Sequence, residues 1–172
     1  MANEKQNGII SASIYEDAVE YRGNADVTMP DITYLTTTMS GAGIAGNIET
    51  VFLGMVDAMS MTINFNNVCR EQARLCEPRP HLLDIRVAQQ ATDGNGEIGV
   101  DAVKHVVKAM PKSMKLGKVA AASASDASGE YSVSYLATYI NGKLVNEIDP
   151  RNFKCVVNGV DYLEEVRRAL GK

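Results

Sequence analysis

The sequence predicts a mainly β protein: an antiparallel sandwich or barrel-like fold with one or two short α-helices, one of them C-terminal. Three observations predict it. Tyr131, Val133, Tyr135, Ala137 and Tyr139 alternate with Ser132, Ser134, Leu136, Thr138 and Ile140, the period of two that gives a strand unlike faces. Asn141-Gly142 follows, the pair best suited to positive φ at both centres of a type I′ turn, and Lys143 to Ile148 runs back. Finally, Met59, Met61, Ile63 and Phe65 alternate with Ser60, Thr62 and Asn64, one face apolar and the other polar but uncharged.

In chain order, residues 1–13 read as a polar N-terminal arm, with a first strand from Ile9 to Tyr15. A second strand runs from Ala18 to Thr28, joined to the first at Glu16-Asp17 and ended by Met29-Pro30-Asp31. Ile32 to Met39 is β-branched and threonine-rich, a strand by propensity. Asn47 to Thr50 reads as a short strand and Val51 to Val56 as a loop or short apolar connection. After the strand from Ala58 to Phe65, Asn66 is placed to cap a short helix from Asn67 to Cys76, with Glu71 early and Arg74 late. Pro78 and Pro80 stop it. His81 to Ala91 alternates again, Leu83, Ile85 and Val87 against Asp84, Arg86 and Ala88, before the turn signal Asp93-Gly94-Asn95-Gly96.

Glu97 to Met110 fits two patterns. Val100, Val103, Val106, Val107 and Met110 make a helical stripe, while valine content and the preceding turn favour a strand. Residues 111–128 carry Lys112, Lys115 and Lys118 and then AAASASDASG, which offers almost nothing large to bury, and read as a mobile loop. Beyond the hairpin, Asp149-Pro150 breaks the ladder because proline has no N–H to donate. Phe153, Cys155 and Val157 resume the alternation up to Asn158-Gly159. Val160, Leu163, Val166 and Leu170 then share a helix face. Glu164 and Glu165 stand early and Arg167, Arg168 and Lys172 late, with Gly171 as the residue past the end.

Bulk properties narrow the function. A chain of 172 residues with 45% hydrophobic content can hide about 70% of its unfolded surface, so residues 1–172 read as a single domain. No apolar run approaches the ~20 residues of a membrane helix, and MANEKQNG lacks the apolar segment of a secretory signal, which leads to the expectation of a cytoplasmic origin. Cys69, Cys76 and Cys155 read as free thiols, and His81 and His105 are isolated, so neither a disulfide framework nor a metal site is expected. The net charge of −4 argues against a protein that grips nucleic acid by its phosphates.

Two motifs invite an enzymatic reading and fail on context. Gly41-Ala42-Gly43-Ile44-Ala45-Gly46 satisfies G-x-G-x-x-G, but the following residues look extended, not helical. Asp93-Gly94-Asn95-Gly96-Glu97 suggests a calcium loop, yet Ile98 stands at the position of the sixth-place glycine and Lys104 at that of the final glutamate. No catalytic constellation is expected, and no cofactor.

The order of short motifs carries a resemblance. Tyr21-Arg22-Gly23, Val27-Thr28-Met29-Pro30, Ser40-Gly41-Ala42-Gly43-Ile44-Ala45-Gly46, Ala58-Met59-Ser60-Met61, then NGKLVNEID and VNGVDYLEEVRRALG together resemble the major tail tube proteins of contractile-tailed phages and related phage-tail-like bacteriocins. The likeness runs from about Ile14 onward and is weakest over residues 1–13 and 114–128. It implies the tail tube fold, a strand for Glu97 to Met110, and a structural role. On this resemblance, hexameric rings stack into a hollow β-walled tube that a contractile sheath drives through a cell envelope. The implied partners are copies of the same chain, the sheath, baseplate and tail-terminator proteins, a tape measure protein in the lumen, and DNA in unspecific transit. The implied place is the tail of a virion or bacteriocin particle assembled in the host cytoplasm. Ser60, Thr62 and Asn64 are then candidates for the lumen, and Lys112, Lys115, Lys118, Ser123 and Ser125 for contacts between rings. A monomeric β-sandwich binding module is the alternative in another class.

Overall fold

A computed structural model describes residues 5–23 and 25–171. The described residues form twelve strands and two short α-helices: β1 (Lys5–Glu16), β2 (Glu20–Gly23), β3 (Asp26–Thr28), β4 (Tyr34–Met39), β5 (Ile48–Val56), β6 (Met59–Phe65), α1 (Arg70–Leu75), β7 (His81–Thr92), β8 (Ile98–Lys115), β9 (Ala127–Ile140), β10 (Lys143–Asp149), β11 (Lys154–Val157), β12 (Val160–Asp161) and α2 (Glu164–Ala169). The strand pairings are antiparallel, both between chain neighbours such as β7 and β8 and between strands distant in the chain such as β1 and β7. The fold is the mainly β class the sequence predicts, with its C-terminal helix.

One sheet dominates, in the order β12-β11-β10-β9-β8-β7-β1-β2, and β9 is its fork. The first half of β9, Ala127 to Val133, pairs with β6, which carries β3, while its second half, Leu136 to Ile140, pairs with β10. At the first end the path therefore reads β2-β1-β7-β8-β9-β6-β3. Its two outer strands, β2 and β3, are separated in sequence by two residues, which span at most about 10 Å, so the path curls back on itself as an incomplete barrel. Inside it lie Ile14, Met61, Ile63, Leu83, Ile85, Val107 and Tyr131, each at most 1% exposed. Helix α1 closes this end with Leu75 and Gln72, whose Nε2 donates to the Lys115 carbonyl at 3.0 Å.

Several sequence expectations need correction. Of the polar arm placed at residues 1–13, residues 1–4 lie outside the described residues and the rest belongs to strand β1, paired along β7. The single strand expected from Ala18 to Thr28 is two: β2 pairs with β1 and β3 with β6. Asn47 to Val56 is not a short strand plus a connection but mostly the one strand β5, which pairs back on β4. Helix α1 begins later than expected. Cys69 caps it, its Sγ accepting from Gln72 N at 3.4 Å, while the Asn66 carbonyl is engaged by Ser125 N and Asp126 N at 3.1 and 3.3 Å. Val160 lies in β12, not on the final helix, which covers only Glu164–Ala169. The loop expected at residues 111–128 shrinks to 116–126, because Pro111 to Lys115 continues β8 and Ala127-Ser128 begins β9. Proline at position 111 is tolerated because the register slips between Pro111 and Ser113, where a bulge needs one ladder bond fewer.

Other readings hold. Of the segment from Glu97 to Met110, Ile98 onward lies within the strand β8 rather than a helix, and Glu97 closes the turn before it. Asn141 and Gly142 have φ of 49° and 78°, the positive values a type I′ turn requires. The alternation of β9 itself breaks once: Tyr131 and Val133 are buried, then Leu136 and Ala137 in succession. The cause is a register shift between Lys108 and Ala109 of β8, which turns the second half of β9 over relative to the first.

Candidate assembly surfaces

Three parts of the molecule stand outside the barrel core. The first is a wall formed by the far halves of β1, β7, β8 and β9. Val87, Val103 and Thr138 on it are only half-buried, and Ile9, Ile98 and Val100 are exposed. One face carries small residues flanked by two stacked cations. Arg86 Cζ stands 4.2 Å above the Tyr15 ring and Lys104 Nζ 4.8 Å above Tyr139, around a shallow groove of about 580 Å³ that includes Ser11, Ser13, Ala88 and Ala102.

The wall has an open margin. β1 pairs with β7 along its length but with β2 only at Ile14, Tyr15 and Glu16. Among the described residues no strand pairs with the outer edge of β1 from Gln6 to Ala12, and Ile9 and Ile10 on it are 68% and 59% exposed. Such an edge is a template for another strand, and no Pro blunts it.

The second part is an arm. β4 and β5 form a separate two-stranded sheet, joined through the glycine run at residues 41–46. Met39, Ile48, Val51, Phe52, Leu53 and Met55 are all exposed on it. A two-stranded ribbon with both faces in water is marginal by itself. At its base the register jumps from Thr36↔Val51 to Tyr34↔Val56, and Gly54 sits in that bulge with φ of 64°. A Cβ there would fall 2.7 Å from Leu163 Cγ, so the site needs glycine twice over. A groove of about 350 Å³ lined by Tyr34, Val51, Phe52, Leu53, Cys155 and Tyr162 marks the junction. Burial, reinforced by the Cys155 thiol, pushes the Tyr34 phenol above its ordinary pKa. The glycine run opens the strand β5 and not a helix, so its fingerprint for dinucleotides has no structural counterpart.

The third part is the 116–126 connection. It is stitched to the body: Lys118 N donates to Ser125 O at 2.7 Å, and Ser125 N to Asn66 O at 3.1 Å and to Asn67 Oδ1 at 3.2 Å. Ser123 Oγ donates to the Ala120 carbonyl at 3.2 Å. Of the residues singled out for contacts between rings, Lys118, Ser123 and Ser125 belong to this connection, while Lys112 and Lys115 lie in β8. Lys112 Nζ is bound to Glu130 Oε1 at 2.9 Å and donates to Ser60 Oγ at 3.3 Å. That bond links it to the other group. Ser60 and Asn64 are exposed and Thr62 half-buried on the outer face of β6, with Met59, Met61, Ile63 and Phe65 behind them in the core.

Sequence reading missed one constellation. Glu16, 1% exposed at the end of β1, accepts from Arg22 Nη2 and Arg79 Nη2, both at 2.7 Å, and its Oε1 lies 2.6 Å from His81 Nδ1. His81 Nε2 donates to the Glu77 carbonyl at 3.1 Å, and Glu20 and Glu77 balance the two arginines from outside. Burial opposes ionisation of Glu16, but the hydrogen bonds from His81, Arg22 and Arg79 outweigh it and hold its carboxyl below the ordinary range. These residues join β1, β2, β7 and the segment after α1, so no spacing in the sequence announces them. Each of these groups has a partner and the carboxylate is buried, which makes it a structural tie. Among the described residues no cluster of His, Cys, Asp and Glu is placed to hold a metal ion, and no helix is long and apolar enough to cross a membrane. The three cysteines are unpaired with one another.

A four-strand wall with an open margin and an apolar arm outside the core define a mainly β protein with two surfaces for assembly. The chain belongs to the phage tail tube protein FII family, which it matches over residues 6–171. It is a tail tube protein. Among solved structures it is similar in fold to a chain of an extracellular contractile injection system, the PVC sheath–tube complex in its extended state. That likeness has 16% identity and a TM-score of 0.50, covering 75% of this chain and 88% of that one. A search of curated protein sequences finds no match.

Proposed function

We propose that six copies of this chain close into a ring, that rings stack into a hollow tube inside a contractile sheath, and that the bore carries DNA in unspecific transit. The observation that carries this reading is the open edge of β1 beside a four-strand wall. Joining that edge to the next copy removes the exposed ladder by closure, as barrels do. The apolar arm gives a neighbouring copy its second contact, since Phe52 and Leu53 stay in water otherwise. The number six, the sheath, the baseplate and terminator contacts and the tape measure in the lumen follow from the resemblance described above.

Ser60, Thr62 and Asn64 face the bore in this reading. A surface of short uncharged groups lets phosphates slide past, whereas free cations would hold them. Several cations on the adjoining face are already engaged: Lys112 with Glu130, Arg86 over Tyr15 beside Asp84 at 3.7 Å, and Lys104 over Tyr139. A headless bacteriocin would use the same tube without DNA, and the parent particle decides between them. Sedimentation and negative-stain microscopy of the purified chain at rising concentration test the proposal. Sixfold rings and tubes are expected; a protein that stays a single globule at the highest concentration would defeat it.

A further inference from the structure

In a barrel the strand ends form the two rims, and the rims are what a stacked neighbour meets. The ends of β8 differ in charge. At its start, Asp93 Oδ1 accepts from the backbone N–H of Asn95 and of Glu97, both at 2.9 Å, which fixes the turn. Asp101 accepts from Asn141 Nδ2 at 2.9 Å and from Gln6 Nε2 at 3.0 Å, and these bonds hold its carboxyl below the ordinary range. Asp93, Glu97 and Asp101 have no ion pair among the described residues. At the far end, Glu130 pairs with Lys112 and also attracts Lys115 at longer range, but Lys115 and Lys118 are exposed and make no ion pair among the described residues, and Asp126 is the only acid of the 116–126 connection. The backbone there is pinned by the Lys118–Ser125 and Ser125–Asn66 bonds, so the lysines stand at fixed places.

Resting on the tail tube reading, we propose that ring stacking is steered by charge: the Glu97 end of β8 in one copy meets the Lys115–Lys118 end of β8 in the next. The partner is a second copy of this chain, and the fit is electrostatic complementarity between opposite ends of one strand. Head-to-tail contact of this kind does not close and so propagates as a filament. Head-to-head or tail-to-tail contact sets like charges against each other, which rejects rings added upside down. The device gives the tube a direction as well as a length.

The test uses full-length protein, with tube length read by electron microscopy and folding by circular dichroism. Lys115→Glu with Lys118→Glu should fold and form rings but shorten tubes roughly tenfold or more, and Glu97→Lys with Asp101→Lys should act the same way. Carrying all four changes in one chain sets a net positive Glu97 end against a net negative 115–118 end, which restores opposite charges across the joint, and tube length should recover. Wild-type elongation should also slow as salt rises to about 1 M, where screening reaches ~3 Å. Charge-reversed variants with tubes of wild-type length, or a quadruple variant with tubes no longer than those of either double variant, would overturn the proposal. Wild-type protein that forms no tube at all would overturn the tail tube reading beneath it.

Discussion

The barrel end and the β4–β5 arm are built from the same kinds of residue and fare oppositely. Met59, Met61, Ile63 and Phe65 on β6 are buried, whereas Val51, Phe52, Leu53 and Met55 on the neighbouring strand in sequence, β5, are exposed. β6 is flanked on both sides, by β3 and β9, and capped by the curl of the sheet. β5 has one partner strand and water beyond it. Apolar content therefore does not decide burial; a second layer does. The barrel end supplies its own second layer, and the arm waits for one from another copy.

Changes at the barrel end should cost the most stability and nothing specific in assembly. Glu16→Ala leaves Arg22 and His81 with an uncompensated charge environment in the interior and should destabilise the fold by about 3–5 kcal/mol in urea unfolding. The same carboxylate sets a pH dependence. Its folded pKa lies below the ordinary 4.5, so its contribution is complete above that value and is lost as pH falls through the lower folded pKa. Acid unfolding of wild type should steepen below about pH 4.5, and Glu16→Gln should flatten that limb. Ile63→Ala opens a cavity at a fully buried site and should cost about 2–5 kcal/mol. On the arm, Phe52→Ser with Leu53→Ser should shift stability by no more than about 0.5 kcal/mol yet abolish tubes in the microscope. An arm variant that unfolds the protein, or one that still builds tubes, would erase the distinction between the two regions.

The same contrast explains what the sequence disclosed. Strands with a buried and a polar face, such as β6 and β7, show a period of two because both faces have fixed surroundings. β5 resembles a connection in sequence because IETVFLGMV has no alternation to show: in the single chain both its faces are exposed, and Gly54 interrupts it with a bulge. Asn66 looked like a helix cap because its chemistry is right. Its carbonyl instead ties the distant Ser125 segment, and a cysteine took the cap. The Glu16 tie was invisible for a plainer reason: Arg22, Arg79 and His81 reach it across gaps that only the fold closes. What the sequence did show of function came from the order of its motifs, since a surface awaiting a partner leaves no reactive constellation to find.

A helical reconstruction of tubes assembled from the pure chain bears on the central claim most directly. The account predicts a continuous β wall in which the β1 edge before Ile14 hydrogen-bonds to the neighbouring copy and the β4–β5 arm lies against another subunit. A wall built from other strands, with the β1 edge and the arm still in water, would contradict it.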